Sequence, residues 1–208
     1  LKKDAYFYYD LISPFAYLFL KARASLEARL NLIPQPIFLP GLLRLQNNRG
    51  PAEVAPKREH LYQFCVWRAK KLGIPFQFPP KHPFASAPMQ RLLLQHQADW
   101  TMIEAAFDFV FKAGRDPEVE WPAFCQNIGL SIDTEKPQSD EIKTALSQRT
   151  QAAADAGVFG VPTLVVDGHV FWGLDTIEWV HEFLDNPTMF EDPEYKRARN
   201  TENPLLLR

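Results

Sequence analysis

The chain has 208 residues, enough for one well-packed core or one domain carrying a large insertion. Hydrophobic residues make up 46% and charged residues 23%; the net charge is −2 without any basic block, which removes electrostatic support for a nucleic-acid partner. No apolar run approaches the roughly 20 residues of a membrane-spanning helix, and the opening LKKDAYFYYD lacks a signal peptide's apolar core, so the expectation is a cytoplasmic protein with no membrane partner.

Residues 5–9, rich in Tyr and Phe, read as a strand. Pro14 suits a first helical position with Ser13 as its cap, and the apolar pattern runs to about Leu30. Residues 32–40 read as a second strand, whose prolines point to a sheet edge or an early end. A loop containing NNRGP precedes a helix over 55–72, and IPFQFPPKHPF is too proline-rich to be anything but extended. Residues 87–128 carry a helical pattern with breaks at Gly114 and Pro117, followed by a polar loop over 133–138 and a helix over 139–156. VPTLVVD and HVFWG then form a hairpin about Asp167-Gly168, and a last helix spans 175–185. The charged tail after Asn186 is expected to pack loosely or not at all.

Strand-helix-strand, a long helical block, then hairpin-helix predicts an α/β chain: a thioredoxin-like fold with a large all-α insertion. The expected division is 1–43 with 157–186 for the thioredoxin-like part, 44–156 for the insertion and 187–208 for the tail. Cys65 and Cys125 form no CxxC pair, so they read as reduced buried thiols, and the five histidines show no metal-ligand spacing.

The chemistry-bearing segments lie at the two ends of this pattern. Ser13 sits at a strand-to-helix turn, where free N–H groups and the helix dipole favour negative charge. Val-Pro-Thr at 161–163 can bring a second stretch of backbone to the same edge. Serine before proline is also a common N-cap, Val161-Pro162 can be a plain turn, and Asp175 can be only the cap of the last helix.

SPFAY at 13–17, GPAEVAPKRE at 50–59, LGIPFQFP at 72–79 and GVFGVPT…FWGLD at 157–175 occur in this order. Together they resemble the 2-hydroxychromene-2-carboxylate isomerase family, which groups with kappa-class glutathione transferases and, more remotely, DsbA oxidoreductases. The resemblance implies glutathione as cofactor, its sulfur beside the Ser13 hydroxyl, where DsbA-type proteins carry the first cysteine of CxxC. It implies that Val161 and Pro162 pair with the cysteinyl backbone, that Trp172, Gly173, Leu174 and Asp175 hold the γ-glutamyl end, and that Asn48 and Lys57 reach the tripeptide. Arg44, Phe15 and Ser86 would meet a small aromatic acid substrate.

The chain departs from the family pattern at Leu174 and Thr176, at His60 where Tyr is frequent, and at Ala85 and Ser86 where an Asn is frequent. The implied activity is glutathione-dependent cis–trans isomerisation of an aromatic 2-oxo acid, the thiolate adding reversibly to the conjugated double bond. Alternatives are a kappa-like transferase or a non-catalytic binding protein; exposed aromatics would also permit a homodimer.

Overall fold

The computed structural model describes residues 2–203; Leu1 and residues 204–208, the end of the expected tail, lie outside that description. Strand β1 (Lys3–Tyr9) alternates, burying Ala5, Phe7 and Tyr9 on one face while Tyr6 is exposed on the other. The chain turns through Ser13 into α1 (Pro14–Ala22) and the short α2 (Ala24–Glu27). The single helix expected here is thus two pieces, and the Arg23 guanidinium donates to Leu20 O at 2.7 Å to close the end of the first.

β2 (Leu30–Pro36) pairs parallel to β1, while β3 (Thr163–Val166) and β4 (His169–Trp172) complete an antiparallel side, giving the order β2-β1-β3-β4. β2 is an edge, which is where Pro34 and Pro36 are tolerated, and it ends at Pro36 rather than residue 40. Asp167 (φ 49) and Gly168 (φ 78) both adopt the left-handed conformation that a two-residue hairpin turn demands.

Where sequence predicted the end of a strand and a loop, Leu39–Leu45 forms α3. Pro40 stands in its first turn, where a missing N–H costs nothing. α4 (Ala55–Leu72) occupies the residues expected, and Gly73 ends it in the left-handed conformation. The predicted helical run 87–128 resolves into α5 (Ala87–Gln95), α6 (Trp100–Phe107) continued by a π turn, and α7 (Trp121–Asn127). An unanticipated break at 96–99 arises because Asp99 caps α6, accepting from Met102 N at 2.8 Å. α8 (Asp140–Asp155) leads back to β3.

The sheet is covered on both faces. Phe7 stacks on Phe19 at 5.0 Å and Tyr9 meets Phe107 at 5.9 Å on one side. Ile37, Leu42, Ala153, Val158, Val161 and Val165 form a second cluster with Tyr8 on the other. The chain divides into two compact units, Leu1–Leu174 and Asp175–Arg208, and the first holds both the sheet and the helical insertion. The second contains α9 (Ile177–Asp185) and α10 (Pro193–Arg199). Its Phe190 ring lies 5.6 Å from Phe183 and 5.3 Å from Tyr195, so the described part of the tail is packed and partly helical, not loose.

Candidate functional site

The β1–α1 turn is built by Asp10. Its Oδ1 accepts from Ile12 N at 3.0 Å, and its carbonyl accepts from Ser13 N at 2.9 Å. The same carboxylate reaches across the sheet end: Oδ2 accepts Leu39 N at 2.8 Å and the Ser86 hydroxyl at 3.0 Å. Asp10 thus supplies the cap that Phe38 cannot give α3, while tying the turn to the start of the insertion. Burial pushes the Asp10 carboxyl up from 3.8 to about 6, against the opposing pull of its Ile12, Leu39 and Ser86 donors.

Gln90 of α5, fully buried, fills the fork between the parallel strands. Its Nε2 donates to Tyr9 O (3.0 Å) and Ile37 O (2.7 Å), and its Oε1 accepts from Leu11 N at 3.2 Å. In open α/β sheets the crevice at the carboxyl ends of the strands receives ligands; here a side chain of the insertion occupies it. On the other side of the turn, His82 Nε2 lies 2.7 Å from Ile12 O, which can only accept, so Nε2 carries the proton. Burial lowers the His82 pKa and favours the neutral ring, leaving Nδ1 to accept from the Tyr62 hydroxyl at 2.5 Å.

Ser13 stands at the centre of this framework, 6% exposed, as N-cap of α1. Its Oγ accepts from Ala16 N at 3.2 Å and donates to Val161 O at a long 3.4 Å. Tyr17 N is taken by Ser13 O, and Pro14 has no N–H. Phe15 N–H is left as the donor at this helix start with no partner among the described residues. Val161 and Pro162 are joined by a cis peptide bond. The Ser13–Val161 contact brings the serine and this corner together across 148 residues of sequence. The corner is tied to the end of β4, where Gly173 N donates to Pro162 O at 2.9 Å with φ 97 at the glycine. Trp172 is half exposed, with its ring 5.2 Å from Phe159 and against the backbone of Gly160. Leu174 is buried.

The remaining predicted residues are placed differently. Phe15 is half-buried and packs on Phe64 of α4 at 6.0 Å. Lys57, exposed in the first turn of α4, has no ion-pair partner among the described residues. Asn48 is exposed and spends its Oδ1 on Arg49 N at 2.8 Å. Ser86 is fully buried and its hydroxyl faces Asp10 rather than an open cleft. Arg44 lines a separate concavity between α3, α5 and α8, which neither Ser13 nor Val161 lines. Asp175 is exposed at the start of the second unit, one residue ahead of Thr176, the N-cap of α9. His60 is exposed, its ring stacked 6.4 Å from Phe64. Both cysteines are free and buried, and burial pushes the Cys65 thiol up to about 12, which makes it inert.

Sequence reasoning missed Asp10, Gln90, His82 and Tyr62. The available signals were an acid three residues before the cap, and one glutamine inside the apolar run PMQRLLL of α5. The partners of both are remote in sequence.

The family model for DsbA-like thioredoxin domains matches residues 6–185. Among curated proteins, 2-hydroxychromene-2-carboxylate isomerase of Sphingobium xenophagum is 29% identical over 196 residues, covering 88% of this chain and 99% of the relative. Human glutathione S-transferase kappa 1 is 24% identical, covering 96% of this chain and 98% of its own. Among solved structures, a 2-hydroxychromene-2-carboxylate isomerase superposes with a TM-score of 0.76 at 21% identity, over 96% of this chain and all of the other. DsbA of Pseudomonas aeruginosa gives 0.51 at 16% identity, over 97% and 87%. The family model covers most of the chain and the sheet order agrees with it: the chain belongs to the DsbA-like thioredoxin family.

Proposed function

We propose that this protein is a glutathione-dependent cis–trans isomerase acting on an aromatic 2-oxo acid. The observation that carries the reading is the junction of Ser13 with Val161-Pro162. The Ser13 hydroxyl and the Phe15 N–H, which has no partner among the described residues, belong to one helix start opposite the Val161 backbone, and Ala16 stands where a CxxC pair would carry its second cysteine. That constellation suits a borrowed thiolate and cannot run dithiol exchange. The near-complete coverage of the Sphingobium isomerase supports the same reaction class.

When bound, glutathione supplies the sulfur nucleophile whose reversible addition makes the substrate's double bond a rotatable single bond. The chain supplies the rest. Ser13 Oγ–H, held only by a 3.4 Å contact to Val161 O, turns to donate to the thiolate, and Phe15 N–H adds a second donor. The helix end contributes partial positive charge. Val161 and Pro162 receive the cysteinyl backbone as an added strand, and Trp172 with the Gly173 and Leu174 backbone flanks the γ-glutamyl end. Lys57 and Asn48 reach the polar groups of the tripeptide, with Lys57 also placed to draw the substrate carboxylate. Phe15 and Phe64 offer an aromatic wall. Ser86, facing Asp10, acts on the site by holding the turn.

The test is titration with glutathione across pH, following thiolate absorbance, in wild type and Ser13→Ala. A thiol acidified on binding, and no longer acidified in the variant, supports the reading; wild-type turnover of an aromatic 2-oxo acid by Ser13→Ala removes Ser13 from the chemistry. The kappa relatives favour a second reading, transfer of glutathione to an electrophile. Accumulation of a stable thioether product distinguishes it.

A further inference from the structure

Arg44 of α3, Arg91 of α5 and Lys143 of α8 converge on one concavity of about 300 Å3. No acidic residue lines it, although the chain as a whole carries a net charge of −2. The floor is apolar: Phe38 and the buried Leu146 line it, and α8 packs directly on both α3 and α5. Ser147 adds a hydroxyl at the rim.

Protein partners engage these three side chains weakly or not at all. Arg23 is paired with Glu27 and Glu104, and Arg115 with Glu120. The Arg44 side chain, by contrast, has no hydrogen bond or ion pair among the described residues, its carbonyl alone accepting from Gln46 N and Asn47 N. Arg91 makes one limiting contact, Nη1 to Pro137 O at 3.5 Å, and its buried Nε has no partner among the described residues. A charged donor buried without an acceptor is rare unless something else satisfies the group. Lys143 lies 3.2 Å from Asp140, whose side chain is 98% exposed, a pairing that solvent weakens and a ligand displaces.

We propose that this cleft is a second ligand site, separate from Ser13, for a small organic anion. The ligand presents a carboxylate or phosphate to the two guanidinium groups and a short apolar body to Phe38 and Leu146. Two guanidinium forks suit planar, bidentate oxyanions better than a halide or a cation. The volume lies at the lower end of the range of small-molecule sites, about 300–1,000 Å3. The site is independent of the reaction proposed for Ser13.

The experiment is calorimetric titration of the full chain with benzoate and, separately, with inorganic phosphate at low ionic strength. Arg44→Gln, Arg91→Gln and Ser13→Ala serve as variants, with circular dichroism as the check on folding. Saturable binding of either probe is expected, weakened about tenfold or more in each arginine variant and unchanged in Ser13→Ala. Preference for benzoate identifies the carboxylate with an apolar body; preference for phosphate identifies charge as the determinant. Arg44 is exposed, so Arg44→Gln remains informative if Arg91→Gln does not fold. The proposal is overturned by absence of saturable binding of both probes. Binding unaffected by Arg44→Gln overturns it equally, as does binding abolished by Ser13→Ala.

Discussion

Gln90→Leu is the substitution that most directly probes how the Ser13 turn is held. Leucine nearly preserves the volume, so the variant tests hydrogen bonding with little cavity cost. Three backbone contacts disappear, but Tyr9 O keeps its bond from Ile37 N at 3.0 Å. Leu11 N and Ile37 O are left without partners in the interior. Each orphaned backbone group costs about 1–3 kcal/mol, and an apolar side chain in place of an amide returns about 1 kcal/mol. The expected loss is therefore about 1–5 kcal/mol, a large share of the 5–15 kcal/mol typical of a folded domain. Urea unfolding monitored by far-ultraviolet circular dichroism reads it as a lower midpoint at unchanged slope. Gln90→Glu sharpens the test: a carboxylate still accepts from Leu11 N but repels Ile37 O. Buried, its pKa lies above the unfolded value, so the variant regains stability as the pH falls and the carboxyl protonates. A loss below about 0.5 kcal/mol in Gln90→Leu, within the usual range for surface changes, would refute the bridging role.

Because burial raises the Asp10 carboxyl from 3.8 to about 6, the unfolded chain gives up this proton first. Asp10 therefore removes on the order of 3 kcal/mol as the pH rises through that interval, and Asp10→Asn should flatten that part of the stability–pH curve relative to wild type; parallel curves would contradict it. In Tyr62→Phe, His82 Nδ1 loses its donor, with an expected loss of about 1 kcal/mol by urea unfolding and none if the ring is solvated. A Cβ at Gly160 would lie 2.6 Å from Trp172 Nε1, so Gly160→Ala should shift the fluorescence of this half-exposed tryptophan and weaken glutathione binding several-fold; unchanged binding would separate Trp172 from the site.

Where structure was set by neighbours in sequence, it was legible. The helix expected after the NNRGP loop, over about 55–72, coincides with α4, and Asp167-Gly168 between apolar runs marks the hairpin. Ser13 was recognisable as a cap because the strand, the serine and Pro14 are contiguous. α3 was not legible: its first turn is capped by Asp10, 29 residues upstream, and Pro40 in isolation marks a strand end as readily as a helix start. The family resemblance implies Arg44 at the Ser13 site, whereas in the fold Arg44 lines a concavity shared with α5 and α8. The tail was misjudged because Phe190 finds Phe183 and Tyr195 only once the segment coils back on itself.

The polar knot of Asp10, Ser86 and Gln90 also orders events in time. Residues 3–36 emerge from a ribosome early and carry the strand, the serine and its helix, yet the turn lacks its Ser86 and Gln90 partners until α5 has been made. Val161 arrives last of all. The nascent N-terminal segment therefore waits, with its best-placed donors and acceptors open to water, for a clasp made some 75 residues later. A truncated chain ending before α5 should behave as a chaperone client rather than a small folded domain.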